Sequence, residues 1–236
     1  MADFKSHITG STMVGAGYAY WGVSTQGMSI ETGLLAAALC SVSGMLPDLD
    51  SDSGVPLRET SMFVAAIAPM LMIDRFQDLG MSHEAMALGA FAVYIAIRFI
   101  AVEFFKRYTV HRGMWHSLPA AASAGLAAYL VMPCPIESVR IFKSFAVFVG
   151  FMTHLVMDEI WSIDMRNARL KRSFGTALKF FGNNALANLS AYAKLFLLVY
   201  LVWGDQSIHE RLRERFRFDR PYIARPFDDG QAFDRY

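Results

Sequence analysis

The stretch IFKSFAVFVGFMTHLVMDEIW, residues 141–161, combines a long apolar run with a histidine and an aspartate near its end. Its 21 residues are enough for a helix that crosses a bilayer, which needs about 20. His154 and Asp158 are four residues apart, so a helix places both side chains on one face, one turn apart. An imidazole and a carboxylate in that arrangement can share one divalent metal ion. The stretch predicts a membrane helix that carries part of a polar site.

The composition of the chain supports a membrane location. Of 236 residues, 54% are hydrophobic and only 18% are charged, whereas soluble domains are about 25% charged. The two cysteines, Cys40 and Cys134, lie in apolar surroundings without CxxC spacing. Neither a disulfide framework nor a cysteine-ligated zinc site is therefore indicated. No cleaved signal peptide is expected, because no long apolar run directly follows the N-terminal residues.

Apolar stretches recur along most of the chain, and strand-like alternation does not compete with them. Three are long enough to span a membrane: 85–105, 141–161 and 186–204. Two more, 30–46 and 117–132, are adequate. The remaining two, 12–24 and 61–73, are short and could be tilted, re-entrant or buried by neighbours. The expected fold is an all-α, polytopic integral membrane helical bundle with five to seven hydrophobic segments. It should occupy residues 1–204, followed by a polar, arginine-rich tail at 205–236.

The basic residues indicate an orientation through the positive-inside rule. If the early segments all cross and the N-terminus is cytoplasmic, ten basic residues lie inside and two lie outside: Lys5, Arg58, Lys106, Arg107, Arg112, Arg166, Arg169, Lys171, Arg172 and Lys179 against Arg75 and Arg140. The seven arginines of the tail would then fall outside if 186–204 also crosses. The number of true spans and the side of the tail stay open.

Four motifs with potential metal ligands lie at the predicted segment ends. The motifs are SHITG with His7, LPDLDSD with Asp48, Asp50 and Asp52, HRGMWHS with His111, Arg112 and His116, and HLVMD with His154 and Asp158. Counting crossings from a cytoplasmic N-terminus brings all four motifs to the cytoplasmic face. They therefore predict one site. Ionisable residues within a membrane are costly enough to suggest a function.

Each motif also has a simpler interpretation. His7 could cap a helix, DLDSD could be an acidic turn, and the remaining histidines could be interfacial or form structural ion pairs. Asp48, Asp50 and Asp52 imitate a calcium loop, but Ser53 stands where that loop requires glycine and Pro56 interrupts it. Outside the motifs, His83 and His209 are expected at the surface.

In combination, these motifs resemble the YdjM-like family of inner-membrane metal-dependent hydrolases, from about residue 5 to about residue 185. The resemblance implies an all-helical membrane protein whose metal site is distantly similar to that of the zinc-dependent phospholipase C and P1 nuclease fold. It implies as ligands His7, Asp48, Asp50, His116, His154 and Asp158, with His111 possible. Met114 and Trp115 replace the aromatic residue and threonine that the family often has there, which leaves the fine substrate contacts open.

The ligand types and the resemblance together predict a hydrolase of phosphoric esters in the bacterial inner membrane. Nitrogen and oxygen ligands suit zinc best, as one to three ions, with manganese or iron as alternatives; such a metal lowers the pKa of bound water to about 7. Arg112 would bind phosphoryl oxygens, Asp50 or Asp52 would act as general base, and His111 would be a ligand or a base. The expected partners are the bilayer and a lipid-linked or membrane-adjacent substrate; no nucleic acid is expected.

Two other classes of function compete with this prediction. A metal or proton transporter would also place histidine and aspartate in membrane helices, but it would spread them in depth across the bilayer. A structural protein could use a metal only to join helix ends. The sequence indicates neither the substrate nor the oligomeric state.

Overall fold

The computed structural model describes residues 4–50, 55–101, 103, 114–164, 169–170 and 178–205, some of them, including Asp50, by their backbone alone. Over these residues the protein is almost entirely helical, which confirms the predicted all-α class. The helices are α1 (Phe4–Thr25), α2 (Ile30–Ser43), a 3₁₀-helix (Leu46–Asp50), α3 (Val55–Leu71), α4 (Ile73–Asp78), α5 (His83–Ile95) with a π-helical continuation (Ala96–Ala101), α6 (Leu118–Val131), α7 (Glu137–Trp161) and α8 (Ala185–Trp203).

Helix α7 is the centre of the bundle that carries the site. It packs against α1, α2 and α6, and α1 also packs against α2. Short connections join α1 to α2 and α6 to α7, so each of these pairs is antiparallel. Two small apolar cores fix α7 between its neighbours: Ala36, Cys40, Phe142 and Ala146 on the α2 side, and Ala120, Ala121, Phe151 and Leu155 on the α6 side.

Glycines allow the backbones of α1, α2 and α7 to approach closely. A Cβ atom on Gly150 of α7 would overlap the carbonyl oxygen of Cys40 and the hydroxyl of Ser43. A Cβ on Gly15 of α1 would lie 2.8 Å from the carbonyl oxygen of Ala37. Small residues at helix contacts are the usual route to close packing in membranes, where burial of apolar surface drives association only weakly.

A buried polar cluster joins α6 to α7 at the end opposite the predicted site. The Tyr129 hydroxyl donates to Glu137 Oε1 at 2.7 Å, and Arg140 Nε donates to the Tyr129 carbonyl oxygen at 2.9 Å. Arg75 Nη2 donates to the neighbouring Leu130 carbonyl oxygen at 2.9 Å. Arg75 and Arg140, the two basic residues predicted for the outer side, therefore both satisfy carbonyl groups at the C-terminus of α6, where cations are favoured.

Within the described ranges, four helical segments are long and apolar enough to cross a membrane: Ile30–Asp48, His83–Ile100, Glu137–Trp161 and Ala185–Trp203. Ser61–Leu71 and Leu118–Val131 are apolar but shorter. Neither α5 nor α8 contains a buried residue, and both expose large side chains such as Phe91 and Phe196. An apolar surface of this kind suits contact with hydrocarbon.

Three elements differ from the sequence-based segments. Helix α1 begins near residue 4 rather than 12 and α3 begins near 55 rather than 61, and the segment 85–105 changes to π-helix at Ala96. A short antiparallel pair of strands, Ile163 opposite Leu170 and Asp164 opposite Arg169, was not expected.

The chain divides into two compact units, Met1–Val202 and Trp203–Tyr236. Most of the second unit lies outside the described residues, so a separate tail from residue 205 stays a prediction.

The glycine contacts generate a paired prediction about stability. Gly150→Ala should lower the free energy of unfolding by about 1–3 kcal/mol, because the added methyl group overpacks the α2–α7 contact. Gly17→Ala should raise it by about 0.5–1 kcal/mol, since alanine favours a helix more than glycine does and a Cβ on Gly17 meets no atom within 4 Å. Reversible unfolding in mixed detergent micelles measures both. Equal effects of the two substitutions would contradict the close α2–α7 contact.

Candidate metal centre

The structure brings side chains from all four motifs to one end of the bundle. His7 lies in the first turn of α1, and Asp48 lies in the 3₁₀-helix that follows α2. His116 lies just before α6, and His154 and Asp158 lie near the end of α7. Because α1 and α6 begin where α2 and α7 end, residues distant in sequence come to the same depth.

Local contacts position the segments that carry His116 and Asp48. Ser117 caps α6 by accepting a hydrogen bond from the backbone N–H of Ala120, which fixes the start of the helix directly after His116. The indole Nε1 of Trp115 donates to the carbonyl oxygen of Leu46 at 2.8 Å. The loop that carries His116 is therefore bonded to the turn that carries Asp48.

His154 is the shared member of the cluster. Its Nε2 lies 3.6 Å from Asp48 Oδ1 and 3.7 Å from Asp158 Oδ2. His7 Nε2 lies 3.3 Å from Asp158 Oδ1, and His116 Nε2 lies 3.9 Å from Asp48 Oδ1. The rings of His7 and His154 stack, with their centroids 3.6 Å apart and their planes at 12°. The side chains thus form two groups of three possible ligands that overlap at His154: His7, His154 and Asp158, and Asp48, His116 and His154.

A backbone carbonyl group sets the orientation of His154. Nδ1 of His154 lies 2.7 Å from the carbonyl oxygen of Gly44. Because a carbonyl oxygen only accepts hydrogen bonds, Nδ1 carries the proton. Nε2 then faces the two carboxylates, as in a histidine ligand whose second nitrogen is held by an outer partner. Gly44 can approach because it has no side chain; a Cβ there would overlap Ser11.

The cluster is buried and contains two carboxylates. The three histidines and Asp158 are at most 7% exposed. In the described part of the chain, His7 Nδ1, His154 Nε2 and Asp158 Oδ1 have no hydrogen-bond partner. With neutral imidazoles, the two carboxylates contribute −1 each and give the cluster a charge of −2. Burying such charges costs several kcal/mol per ion unless they are paired, and one divalent cation would cancel them.

The distances between possible ligand atoms are close to those expected around a small divalent ion such as zinc. Bonds of about 2.0–2.2 Å in a tetrahedron place neighbouring ligand atoms about 3.3–3.6 Å apart. Of the four histidine–aspartate separations in the cluster, those of 3.3 and 3.6 Å lie within this range, and those of 3.7 and 3.9 Å lie slightly above it. Since Nδ1 of His154 is engaged by Gly44, only Nε2 can bind a metal. One ion can therefore use His154, and a second would depend on the remaining side chains.

Several predicted site residues lie outside the described part of the chain. These are His111, Arg112 and Asp52, whose roles stay predictions; Asp50 ends the 3₁₀-helix, and only its backbone is described. His209 also lies outside, and His83 is exposed at the start of α5. The sequence did not reveal the outer contacts of Gly44 and Trp115. A backbone carbonyl leaves no mark in the residue type, and a tryptophan in a loop has many ordinary explanations.

Comparison with known proteins identifies the family. The profile of the YdjM inner membrane protein family matches residues 1–203, which include all four motifs. No curated protein and no solved structure matches the chain. The match agrees with the resemblance noted in the sequence, with the membrane-length helices and with the almost entirely helical fold. The family match does not support the likeness to the phospholipase C and P1 nuclease fold. This protein belongs to the YdjM inner membrane protein family.

Proposed function

We propose that this protein is a metal-dependent hydrolase that cleaves phosphoric esters of a lipid-linked or membrane-adjacent substrate. The observation that carries the proposal is the cluster around His154, where three imidazoles and two carboxylates from four distant motifs meet in a buried position. Such a set of nitrogen and oxygen ligands suits zinc, with manganese or iron as alternatives.

The residues that would hold the metal are those that the structure brings together: His7, Asp48, His116, His154 and Asp158. A divalent metal bound there supplies Lewis acidity and lowers the pKa of a bound water to about 7. The side chain of Asp48 is 15% exposed, compared with 6% for that of Asp158. Asp48 therefore marks the side of the cluster that faces outward.

The remaining roles would belong to residues that are close in sequence to Asp48 and His116. Arg112, four residues before His116, would bind phosphoryl oxygens through its planar guanidinium group. Asp50, two residues after Asp48, would take the proton from the attacking water, with Asp52 as the alternative. His111 would serve as a further ligand or as a second acid–base group. The positive-inside count favours the cytoplasmic face for this end of the bundle.

Two observations bear on the competing functions. The described ligands all lie at one end of the bundle, whereas a transport pathway needs polar groups at successive depths. This favours hydrolysis over transport. The burial of His7, His116 and His154 also suits a structural metal that joins helix ends, because structural sites are closed. Turnover separates hydrolysis from that role.

The metal site leads to a direct prediction. The protein, purified in detergent without chelators and with zinc supplied, should contain one to three equivalents of metal. The double substitution His154→Ala with Asp158→Ala should lose it, because it removes the shared imidazole and the carboxylate beside it. Elemental analysis measures the content, and removal of the metal by a chelator should lower the Tm of the wild type, since a ligand that binds only the folded state stabilises it.

A matched pair of residues on α5 provides the control. His83→Ala with Glu84→Ala removes an exposed imidazole and an exposed carboxylate and should leave the metal content unchanged. Circular dichroism checks that each variant keeps its helices. A wild-type protein that folds normally, contains no metal and does not respond to chelators would refute the metal site.

The general base leads to a second prediction. Asp50→Asn should lower kcat for a phosphodiester such as bis(p-nitrophenyl) phosphate by about 10²–10⁴, the usual contribution of acid–base catalysis. Its metal content should stay at the wild-type level. An unchanged kcat would rule out Asp50 as the base, and a loss of metal would make Asp50 a ligand instead.

A further inference from the structure

An apolar groove runs along the outer side of the contact between α1 and α7, beginning next to the cluster of candidate metal ligands around His154. It is an open groove with a volume of about 610 Å³, within the roughly 300–1,000 Å³ of small-molecule sites. Three of its lining residues come from α1 and six from α7: Gly10, Met13 and Val14, and Phe148, Val149, Met152, Thr153, Val156 and Met157. This set of residues is called the α1–α7 groove below.

The end of the groove adjoins the candidate ligands along both helices. Gly10 follows His7 by one turn of α1, and Met157 directly precedes Asp158 in α7. Met157 lies over Gly10 so closely that a Cβ on the glycine would overlap its sulfur atom. Beyond this contact, His7 Nε2 meets Asp158 Oδ1 at 3.3 Å. The groove and the cluster therefore share the helix pair α1 and α7, and the groove residues Gly10 and Met157 are close in sequence to His7 and Asp158.

The length of the groove corresponds to one leaflet of a bilayer. From Phe148 to Met157 the chain advances nine residues, which is about 14 Å of α-helix. The hydrocarbon core is about 30 Å thick, so one leaflet is about half of that. Because the cluster lies near the end of the spanning helix α7, the groove extends from the cluster toward the middle of the membrane.

The lining offers nothing for a polar ligand to bind. Thr153 contributes its only side-chain hydroxyl, and that hydroxyl donates to the carbonyl oxygen of Val149 at 2.8 Å. Met13, Val14 and Val156 are 72%, 40% and 39% exposed, so the groove opens outward along the side of a membrane-spanning helix. Because α7 is long and apolar enough to cross a membrane, we expect hydrocarbon at that position, where an apolar chain without hydrogen-bonding groups is a suitable occupant.

We propose that the α1–α7 groove holds an acyl chain of the substrate, which makes the substrate a phospholipid rather than a soluble phosphoric ester near the membrane. This inference rests on the proposed hydrolase function. A chain aligned in the groove places the lipid headgroup at the level of the metal cluster, because the groove ends there. A phospholipid can therefore place its phosphoric ester at the cluster while its acyl chain lies in the groove.

The physical role of the groove is positioning rather than affinity. Lipid tails are as apolar as the groove, so moving a chain from bilayer to groove gains little from burial. What the groove provides is alignment of the scissile ester, which acts on the rate of the bound substrate. Filling the groove should therefore affect kcat for a long-chain lipid more than KM.

The experiment compares two substrates on variants that fill the groove from either wall. Val14→Trp on α1 and Val156→Trp on α7 insert bulk into it, and Leu88→Trp makes a similar change at a 70% exposed position of α5. The substrates are dioleoyl phosphatidylglycerol in mixed micelles and bis(p-nitrophenyl) phosphate. Both groove variants should lose about tenfold or more in kcat for the lipid, and should keep their metal content and their rate on the soluble ester. Leu88→Trp should match the wild type on both.

A second measurement is independent of turnover. A non-hydrolysed lipid with a photoreactive diazirine midway along one acyl chain should label the groove peptides that contain Met13 and Met157, and Val14→Trp should reduce this labelling several-fold relative to labelling of α5. Equal labelling in the wild type and in Val14→Trp, or equal lipid hydrolysis by all variants, overturns the groove proposal. Failure of the wild type to hydrolyse either substrate refutes the hydrolase function instead, and the labelling then shows whether the groove binds a chain.

Discussion

The arrangement depends on the position of one imidazole, that of His154. Its Nδ1–H donates to the Gly44 carbonyl oxygen at 2.7 Å, and this bond orients Nε2 toward Asp48 and Asp158. Glycines allow the close packing around this bond, because a Cβ on Gly150 would overlap α2 and a Cβ on Gly44 would overlap Ser11 of α1. Close helix packing and ligand orientation are therefore one feature of this protein.

The two ends of the bundle deal with polar groups in opposite ways. At the α6–α7 turn, Glu137 and Arg140 are both buried, and each has a partner on Tyr129. At the other end, two carboxylates and three imidazoles face one another with several buried atoms lacking hydrogen bonds in the described structure. The first arrangement joins α6 to α7 through hydrogen bonds that the protein itself supplies. The second would become electrostatically balanced if a divalent cation were bound.

Much of the fold could be predicted from the sequence because its signals are local. The apolar stretches predicted the membrane-length helices, and the spacing of His154 and Asp158 predicted a shared face on α7. The start of α6 was expected near Ser117, and Ser117 does cap that helix. The first residues of α1 and α3 were not predicted, because the segments were identified from apolar runs and the first turns of these helices contain polar residues. The π-helical end of α5 leaves no recognisable pattern.

The sequence by itself determined which residues could form a site and, through the order of crossings, that they belong at one end of the bundle. Only the tertiary structure decided which of them meet, since contacts such as His7 with Asp158 join residues about 150 positions apart. The tertiary structure also decided that His154 is shared and that Gly44 orients it, because a backbone carbonyl acts identically in every residue type. The α1–α7 groove is likewise a property of two surfaces placed side by side, and no single helix contains it.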